Sequence, residues 1–286
     1  MTSTPTAARA PAPERPRRGR PGRTGRPGRP RVRAGLERAG YGLAGFALMI
    51  AAWYALHASG FVAAGLLPRP DEVVAAAWRG FTGQGLLLDV RVSVTRVFLG
   101  VAIGTAAAVP VGFLLAWYRP LRAMLDPLIG FFRALPPIAL IPLVVVYFGI
   151  GEPARISVLV YASFFTAVIV VHEGIASIDP LYIKAARSLG ASRTEVFTRC
   201  VLPLSVPQFL VAVRVALGVS WATLVAAELV AAQRGLGAVI QNAGNFFKID
   251  EVYVGITLIG IVALAMDRVL RVLMRRATRW QERTGE

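Results

Sequence analysis

Residues 90–117 read VRVSVTRVFLGVAIGTAAAVPVGFLLAW, and this stretch decides what kind of protein the chain forms. Its only charged residues are Arg91 and Arg96, both near its start. A helix needs about 20 mostly apolar residues to cross a hydrocarbon layer of about 30 Å. The stretch is longer than that, so it predicts a membrane-spanning helix.

Similar apolar blocks recur along the chain. Of its 286 residues, 55% are apolar and 17% are charged, and the mean hydropathy is +0.57; a soluble domain carries about a quarter charged residues. We therefore predict an all-α, polytopic membrane protein with about six transmembrane helices. Two blocks, 156–171 and 252–266, are short for a span, which leaves five or six spans open, and we favour six. We expect the second of them to extend to Leu273, with Arg268 and Arg271 reaching the membrane surface. The remaining blocks are 41–58, 128–150 and 206–232.

Polar segments separate these blocks and set the predicted domain boundaries. Residues 1–39 hold eleven arginines with many prolines and glycines, a composition that predicts a disordered tail. The membrane domain then covers 40–273, and 274–286 form a basic tail. We expect a short amphipathic helix over 72–81, a basic loop over 118–126 and a Gly- and Asn-containing loop over 233–251.

The distribution of basic residues predicts the orientation. With six spans, both basic tails lie on one side, together with the loops 118–127 and 172–205. Since cytoplasmic segments carry the excess of Lys and Arg, we expect cytoplasmic N- and C-termini. The loops expected outside hold five basic residues: Arg69, Arg79, Arg155, Arg234 and Lys248.

The cytoplasmic loop 173–205 reads EGIASIDPLYIKAARSLGASRTEVFTRCVLPLS. Asp179 followed by Pro180 is typical of a helix start, and Gly190 of a helix end. Ser192 and Glu195 have the spacing of a capping box. We predict two short helices around a glycine elbow, the second ending at Pro203. The small residues in the first helix favour either docking on a partner protein or a plain hairpin on the membrane surface.

This loop resembles the EAA loop of ABC importer permeases, whose pattern is EAA, three residues, Gly, nine residues, Ile, one residue, Leu-Pro. Lys184 replaces the acidic residue and Cys200 the isoleucine. The chain from about 40 to 275 also resembles permeases of the nitrate, sulfonate and taurine uptake group, in stretches such as 66–70, 133–137, 139–143, 147–151, 213–218 and 235–237. The loop positions that match are Ala185, Ala186, Gly190, Leu202 and Pro203.

The resemblance implies the type I ABC importer permease fold and a multi-pass protein of the cell membrane. It implies a second permease copy, two ABC ATPase subunits that receive the 179–190 helix, and an extracytoplasmic substrate-binding protein. The implied cargo is a small anion such as an alkyl sulfonate, taurine or nitrate. Because the chain has no GxxxxGK[ST] phosphate loop, we expect no ATP hydrolysis of its own, no catalytic residues and no cofactor. Two histidines, His57 and His172, do not indicate a metal site.

Charged residues inside the blocks are candidates for function, because ionisable groups in spans are costly and tend to face interiors or pathways. Arg214, Trp221 and Glu228 are spaced seven apart, so we expect one stripe facing the bundle interior. We hypothesise that Arg96 and Glu228 form a structural ion pair. Arg214 is then either a pathway cation that meets an anionic substrate or a donor to a neighbouring helix.

Three alternatives to an importer are a DNA-binding protein, an intramembrane protease and a stand-alone secondary transporter. Arg18–Pro21 matches the core of an AT-hook, but a basic tail before a first span orients the protein and contacts anionic lipid, so we expect no nucleic acid. Intramembrane proteases need HExxH, GxSxG or paired aspartates, which this sequence lacks. A stand-alone secondary transporter would show repeated halves. Within the resembled group, a pyrimidine-type vitamin precursor is the alternative substrate.

Overall fold

The computed structural model describes residues 31–63, 65–83 and 85–278, and in these ranges the chain forms helices joined by short turns. A 3-10 turn, Pro137–Leu140, precedes α5, and a π-helical turn, Phe197–Val201, precedes α9. The α-helices are α1 Arg31–Ala58, α2 Pro70–Gly83, α3 Leu86–Trp117, α4 Arg119–Ala134, α5 Ile141–Phe148, α6 Glu152–Ala176, α7 Pro180–Ser188, α8 Arg193–Val196, α9 Leu202–Ala231, α10 Leu236–Asn245 and α11 Ile249–Ala277.

The chain divides into two compact units, one up to Ala52 and one from Trp53 onward. The first unit holds most of α1, whose segment Gly40–Ala58 is long and apolar enough to span a membrane. This helix begins at Arg31, earlier than the boundary expected at residue 40. The predicted disorder of residues 1–30 and most of the basic tail, from residue 279 onward, lie outside the described residues.

The second unit is organised around the contact of α3 with α6. A β-carbon added at Gly104 would lie 2.6 Å from Cβ of Ser163, and one at Gly112 would lie 2.6 Å from Cγ1 of Val171. Only residues without bulky side chains permit such an approach, which is the usual basis of helix association in lipid. The small residues of α3 recur every four positions: Gly100, Gly104, Ala108 and Gly112.

The register of these contacts fixes the helix directions. Residue 104 of α3 lies beside 163 of α6, and 112 lies beside 171, so the two helices run parallel. Helix α9 runs the opposite way, because Ser220 Oγ lies 2.9 Å from Ser163 Oγ while the ring of Phe209, earlier in α9, lies 5.1 Å from that of Phe113. These three helices bury the core of the unit.

Parallel packing requires the chain between α3 and α6 to return to the opposite end of the bundle. Helices α4 and α5 make this return, with a bend of 85° between them. Within the described residues, counting this broken pair as one span gives six candidate spans, and five without it. The expectation of one block over 128–150 after a basic loop is wrong: α4 already begins at Arg119. The break follows from the consecutive prolines Pro136 and Pro137, because both lack an N–H donor and each disfavours the helical conformation of the residue before it.

Two further expectations are corrected. The block 156–171, which looked short for a span, belongs to α6, a helix of 25 residues, because polar residues extend it at both ends. The extension expected for 252–266 is confirmed, since α11 continues past Leu273 to Ala277. The segment 233–251 is not an irregular loop throughout, since it contains α10. The amphipathic helix predicted over 72–81 is confirmed as α2.

We predict that Gly104→Val destabilises the protein by about 3 kcal/mol, the upper end for overpacking, because the backbone oxygen of Val160 lies 2.8 Å from the added carbon and cannot move aside. The matched control is Gly218→Val in α9, where an added β-carbon meets nothing within 4 Å. Unfolding in detergent, followed by tryptophan fluorescence, measures both. Equal losses in the two variants would contradict the close α3–α6 contact.

Candidate functional site

The loop between α6 and α9 is built by local capping interactions. The backbone N–H of Leu181 donates to Asp179 Oδ1 at 2.8 Å, and Pro180 is the first residue of α7. Gly190 has a φ of 85°, the left-handed conformation that favours glycine. At α8, Glu195 accepts from the N–H of Ser192 at 3.0 Å and completes a capping box. The predicted pair of helices around a glycine elbow is therefore confirmed.

The predicted stop at Pro203 is wrong, because the chain passes from α8 through the π-helical turn directly into α9. The N–H of Leu202 donates to the carbonyl of Phe197, five residues earlier. Proline has no N–H, and its ring clashes with the carbonyl four residues before it. A wider π turn accommodates Pro203 without ending the helix. The loop is thereby continuous with the start of α9.

Helix α7 has an inner and an outer face. Ile183 and Ala186 pack on the buried cluster that includes Phe113 and Val171. The outer face leaves Lys184, Ala185 and Gly190 exposed, and Leu202 and Pro203 are also exposed at the start of α9. Large apolar side chains stand beside them, with Leu189 89%, Leu181 66% and Tyr182 57% exposed. Exposed apolar residues grouped in this way are typical of a surface that contacts another protein or the membrane.

A buried polar network lies at the other end of α6, about 37 Å from the loop for a helix of 25 residues. Arg96 Nη1 donates to Glu228 Oε1 at 2.6 Å, with the two side chains 3% and 0% exposed. The hypothesised ion pair between α3 and α9 is therefore present. Arg96 also donates to Glu152, the first residue of α6. One guanidinium thus links three helices.

The same network holds the beginning of α10. The backbone N–H of Gly235 donates to Asp89 Oδ1 at 3.0 Å. The next N–H, of Leu236, donates to Ser93 Oγ at 2.9 Å, and that of Gly237 donates to Glu228 Oε2 at 2.8 Å. A β-carbon at Gly235 would collide with the Glu228 carboxylate. Our sequence reasoning missed Asp89 and Ser93; their spacing of four, followed by Arg96 three residues later, was the available signal for one polar face on α3.

Arg214 is not part of this network. Trp221 and Glu228 are buried as expected, at 5% and 1% exposed, but the Arg214 side chain is 45% exposed. Its Nε lies 2.7 Å from Asp267 Oδ1 of α11. The prediction that all three residues face the bundle interior therefore holds only for Trp221 and Glu228. Earlier in α9, this face of the helix is turned toward α11.

Comparison with known proteins places this architecture in a family. Residues 108–282 match the family described as binding-protein-dependent transport system inner membrane component. The chain is 44% identical, over 88% of its length and 100% of the relative, to a probable ABC transporter permease protein of Brucella abortus. It is 37% identical to the taurine transport system permease protein TauC of Escherichia coli, over 82% of this chain and 87% of that one.

Two further comparisons agree. The putative aliphatic sulfonates transport permease protein SsuC of Escherichia coli is 33% identical, over 81% of this chain and 88% of that protein. Among solved structures, the inward-facing MetNI methionine ABC transporter is similar in fold, with a TM-score of 0.60 and 22% identity over 68% of this chain and 96% of that chain.

The all-helical membrane unit and the likeness to these permeases identify the type I ABC importer permease fold. This chain belongs to the ABC importer permeases of the nitrate, sulfonate and taurine family. It is thus a multi-pass inner-membrane component of a transport system, of the kind that works with a binding protein.

We predict strong coupling between Arg96 and Glu228 in a double-mutant cycle. Glu228→Ala should cost about 3–5 kcal/mol, because it leaves a buried cation without its partner. Adding Arg96→Ala should then cost much less than Arg96→Ala alone, giving a coupling energy of about 2 kcal/mol. The half-exposed pair Arg214 and Asp267 serves as control and should couple more weakly. Additive losses at Arg96 and Glu228, measured by unfolding in detergent, would contradict the pair.

Proposed function

We propose that this chain forms the transmembrane pathway of an ATP-driven importer for a small sulfonate anion of the taurine type. The 37% identity to a taurine permease over 82% of the chain carries this proposal, and the likeness to an aliphatic sulfonate permease supports the same chemical class. Taurine and alkyl sulfonates share an anionic group with three acceptor oxygens, so one pathway can serve both.

In the proposed mechanism, two separate ABC ATPase subunits each receive one α7 helix. The exposed outer face of α7, from Leu181 to Leu189, supplies the docking surface. Because α8 passes into α9 without a break, a movement imposed on this loop is transmitted to a helix that crosses the whole bundle. Lys184 occupies the position of the acidic residue in the EAA pattern, so contact with the ATPase relies here on apolar surface and on the exposed Ala185 and Gly190, while Ala186 packs on the inner face.

The remaining parts of the transporter follow from this assignment. A second copy of the chain completes the pathway, and an extracytoplasmic binding protein delivers the anion at the end of the bundle that holds Arg96 and Glu228. The α7–α8 loop and both termini then lie in the cytoplasm, in agreement with the distribution of arginines. ATP hydrolysis belongs to the ATPase subunits, and the permease itself works without a cofactor.

We predict that Gly190→Val reduces the amount of ATPase that co-purifies with the tagged permease by about tenfold, which corresponds to about 1.4 kcal/mol. A valine at a φ of 85° is strained by about 1–3 kcal/mol, and relief of this strain distorts the elbow. The control is Gly60→Val, a second exposed glycine with positive φ, 67°, and open space around it. Equal recovery of ATPase with both variants would refute docking at this loop.

We predict ATP-dependent uptake of ³⁵S-taurine by liposomes that contain the permease, its ATPase and its binding protein. Uptake that does not depend on ATP would refute the assignment as an ATP-driven importer. Uptake of neutral amino acids in preference to taurine would refute the proposed substrate class.

The same liposomes test Arg214 as a pathway cation. Arg214→Ala should lower uptake, and adding Asp267→Ala should not restore it, because the cation itself is needed. Restoration by the double variant would assign Arg214 a structural role with Asp267 instead, and unchanged uptake by Arg214→Ala at equal protein level would also exclude it from the pathway.

A further inference from the structure

The two carboxylates bound by Arg96 differ in how firmly they are held. The Glu228 side chain is fully buried, and it also accepts from Ser93 Oγ at 2.8 Å and from the N–H of Gly237. The Glu152 side chain is 52% exposed, and the partners found for it are the guanidiniums of Arg96 and Arg155. If either carboxylate leaves Arg96, it is therefore Glu152.

Glu152 and Arg96 together form part of the wall of a cleft of about 550 Å³. This volume lies within the range of roughly 300–1,000 Å³ that is usual for small-molecule sites. Two more arginines, Arg91 and Arg234, line the cleft, and the remaining wall includes apolar side chains such as Leu99 and Ile156. A cleft with apolar walls and convergent guanidiniums suits a small anion with a short apolar part.

One of the two carboxylates paired with Arg96, that of Glu152, can be replaced by another anion. Arg96 and Arg155 are paired with Glu152 and Glu228, and Arg234 with Asp89, so these ion pairs carry no net charge, and Arg91 adds one positive charge to the cleft. When Glu152 swings away from Arg96, one positive charge is uncompensated in a nearly buried place. Arg96 directs both Nε and Nη2 at the Glu152 carboxylate, and this fork matches any group with two adjacent anionic oxygens.

We propose that the transported anion binds in this cleft to Arg96, in the place that Glu152 occupies in the structure. This inference rests on the proposed import of a small sulfonate and adds its binding site. Glu152 takes the place of the anion and keeps the free side of Arg96 paired when no cargo is bound. Since Glu152 is the first residue of α6, displacement by cargo also releases the start of the helix whose other end leads to the ATPase-docking loop.

The test is the affinity of the purified permease–ATPase complex in nanodiscs for radiolabelled methanesulfonate, measured by equilibrium dialysis. Glu152→Gln removes the competing charge but keeps the size of the side chain, and it should lower the Kd about tenfold if Glu152 occupies the site about nine-tenths of the time. Glu251→Gln is the matched control, because this glutamate also lies in the first turn of a helix and pairs with a cation, Lys248. Its Kd should equal that of the unaltered protein.

A second variant tests whether the tighter binding of methanesulfonate takes place in the cleft. Adding Leu99→Trp to Glu152→Gln fills the cleft without touching the ion pairs, and it should abolish the tighter binding. An unchanged or higher Kd in Glu152→Gln, an equal gain in Glu251→Gln, or a gain that survives Leu99→Trp would each overturn the proposal. Equal strengthening of binding for the neutral analogue dimethyl sulfone would do so too.

The uptake assay separates this inference from the proposed function. ATP-dependent taurine uptake by the unaltered protein, with no change of Kd in Glu152→Gln, overturns the site and leaves the importer standing. Tighter methanesulfonate binding by Glu152→Gln, in a protein that imports no sulfonate, supports the site and overturns the proposed cargo.

Discussion

The close contact of α3 with α6 is the constraint on which the rest of the membrane unit depends. In lipid, apolar surface gives no preference for another helix over an acyl chain, so association relies on close packing and on polar contacts between helices. Glycine at 104 and 112 lets α6 approach α3 until side chains meet backbone. The parallel register that results forces α4 and α5 to return across the bundle, and Pro136 and Pro137 break the helix on this return.

The two candidate functional regions of the unit lie at opposite ends of the helices that make this contact. Helix α6 begins at the Arg96 network and ends at the loop that carries α7 and α8. Helix α9 runs back from that loop to Glu228. A bundle held tightly along its middle and tied at one end by buried ion pairs can transmit a displacement from one end to the other, since packed helices move as rigid elements.

Sequence reasoning succeeded where the signal was local. Capping at Asp179, the left-handed glycine at 190 and the box of Ser192 with Glu195 each depend on residues within a few positions, and all three are present. It failed where distant residues decide the outcome. The interior position expected for Arg214 ignored Asp267, 53 residues later, and the stop expected at Pro203 ignored that a π turn can absorb a proline.

The sequence by itself determined that the chain is a helical membrane protein of the importer permease family, because length, hydropathy and motif order are properties of the linear chain. It also indicated the pair of Arg96 and Glu228, since charged residues of opposite sign within two spans tend to form an ion pair. Only the tertiary structure decided that Glu152 shares Arg96, and that Asp89 and Ser93 hold the start of α10. These residues lie more than 50 positions from their partners, and helix register and rotation, which bring them together, are set by packing that no local pattern encodes.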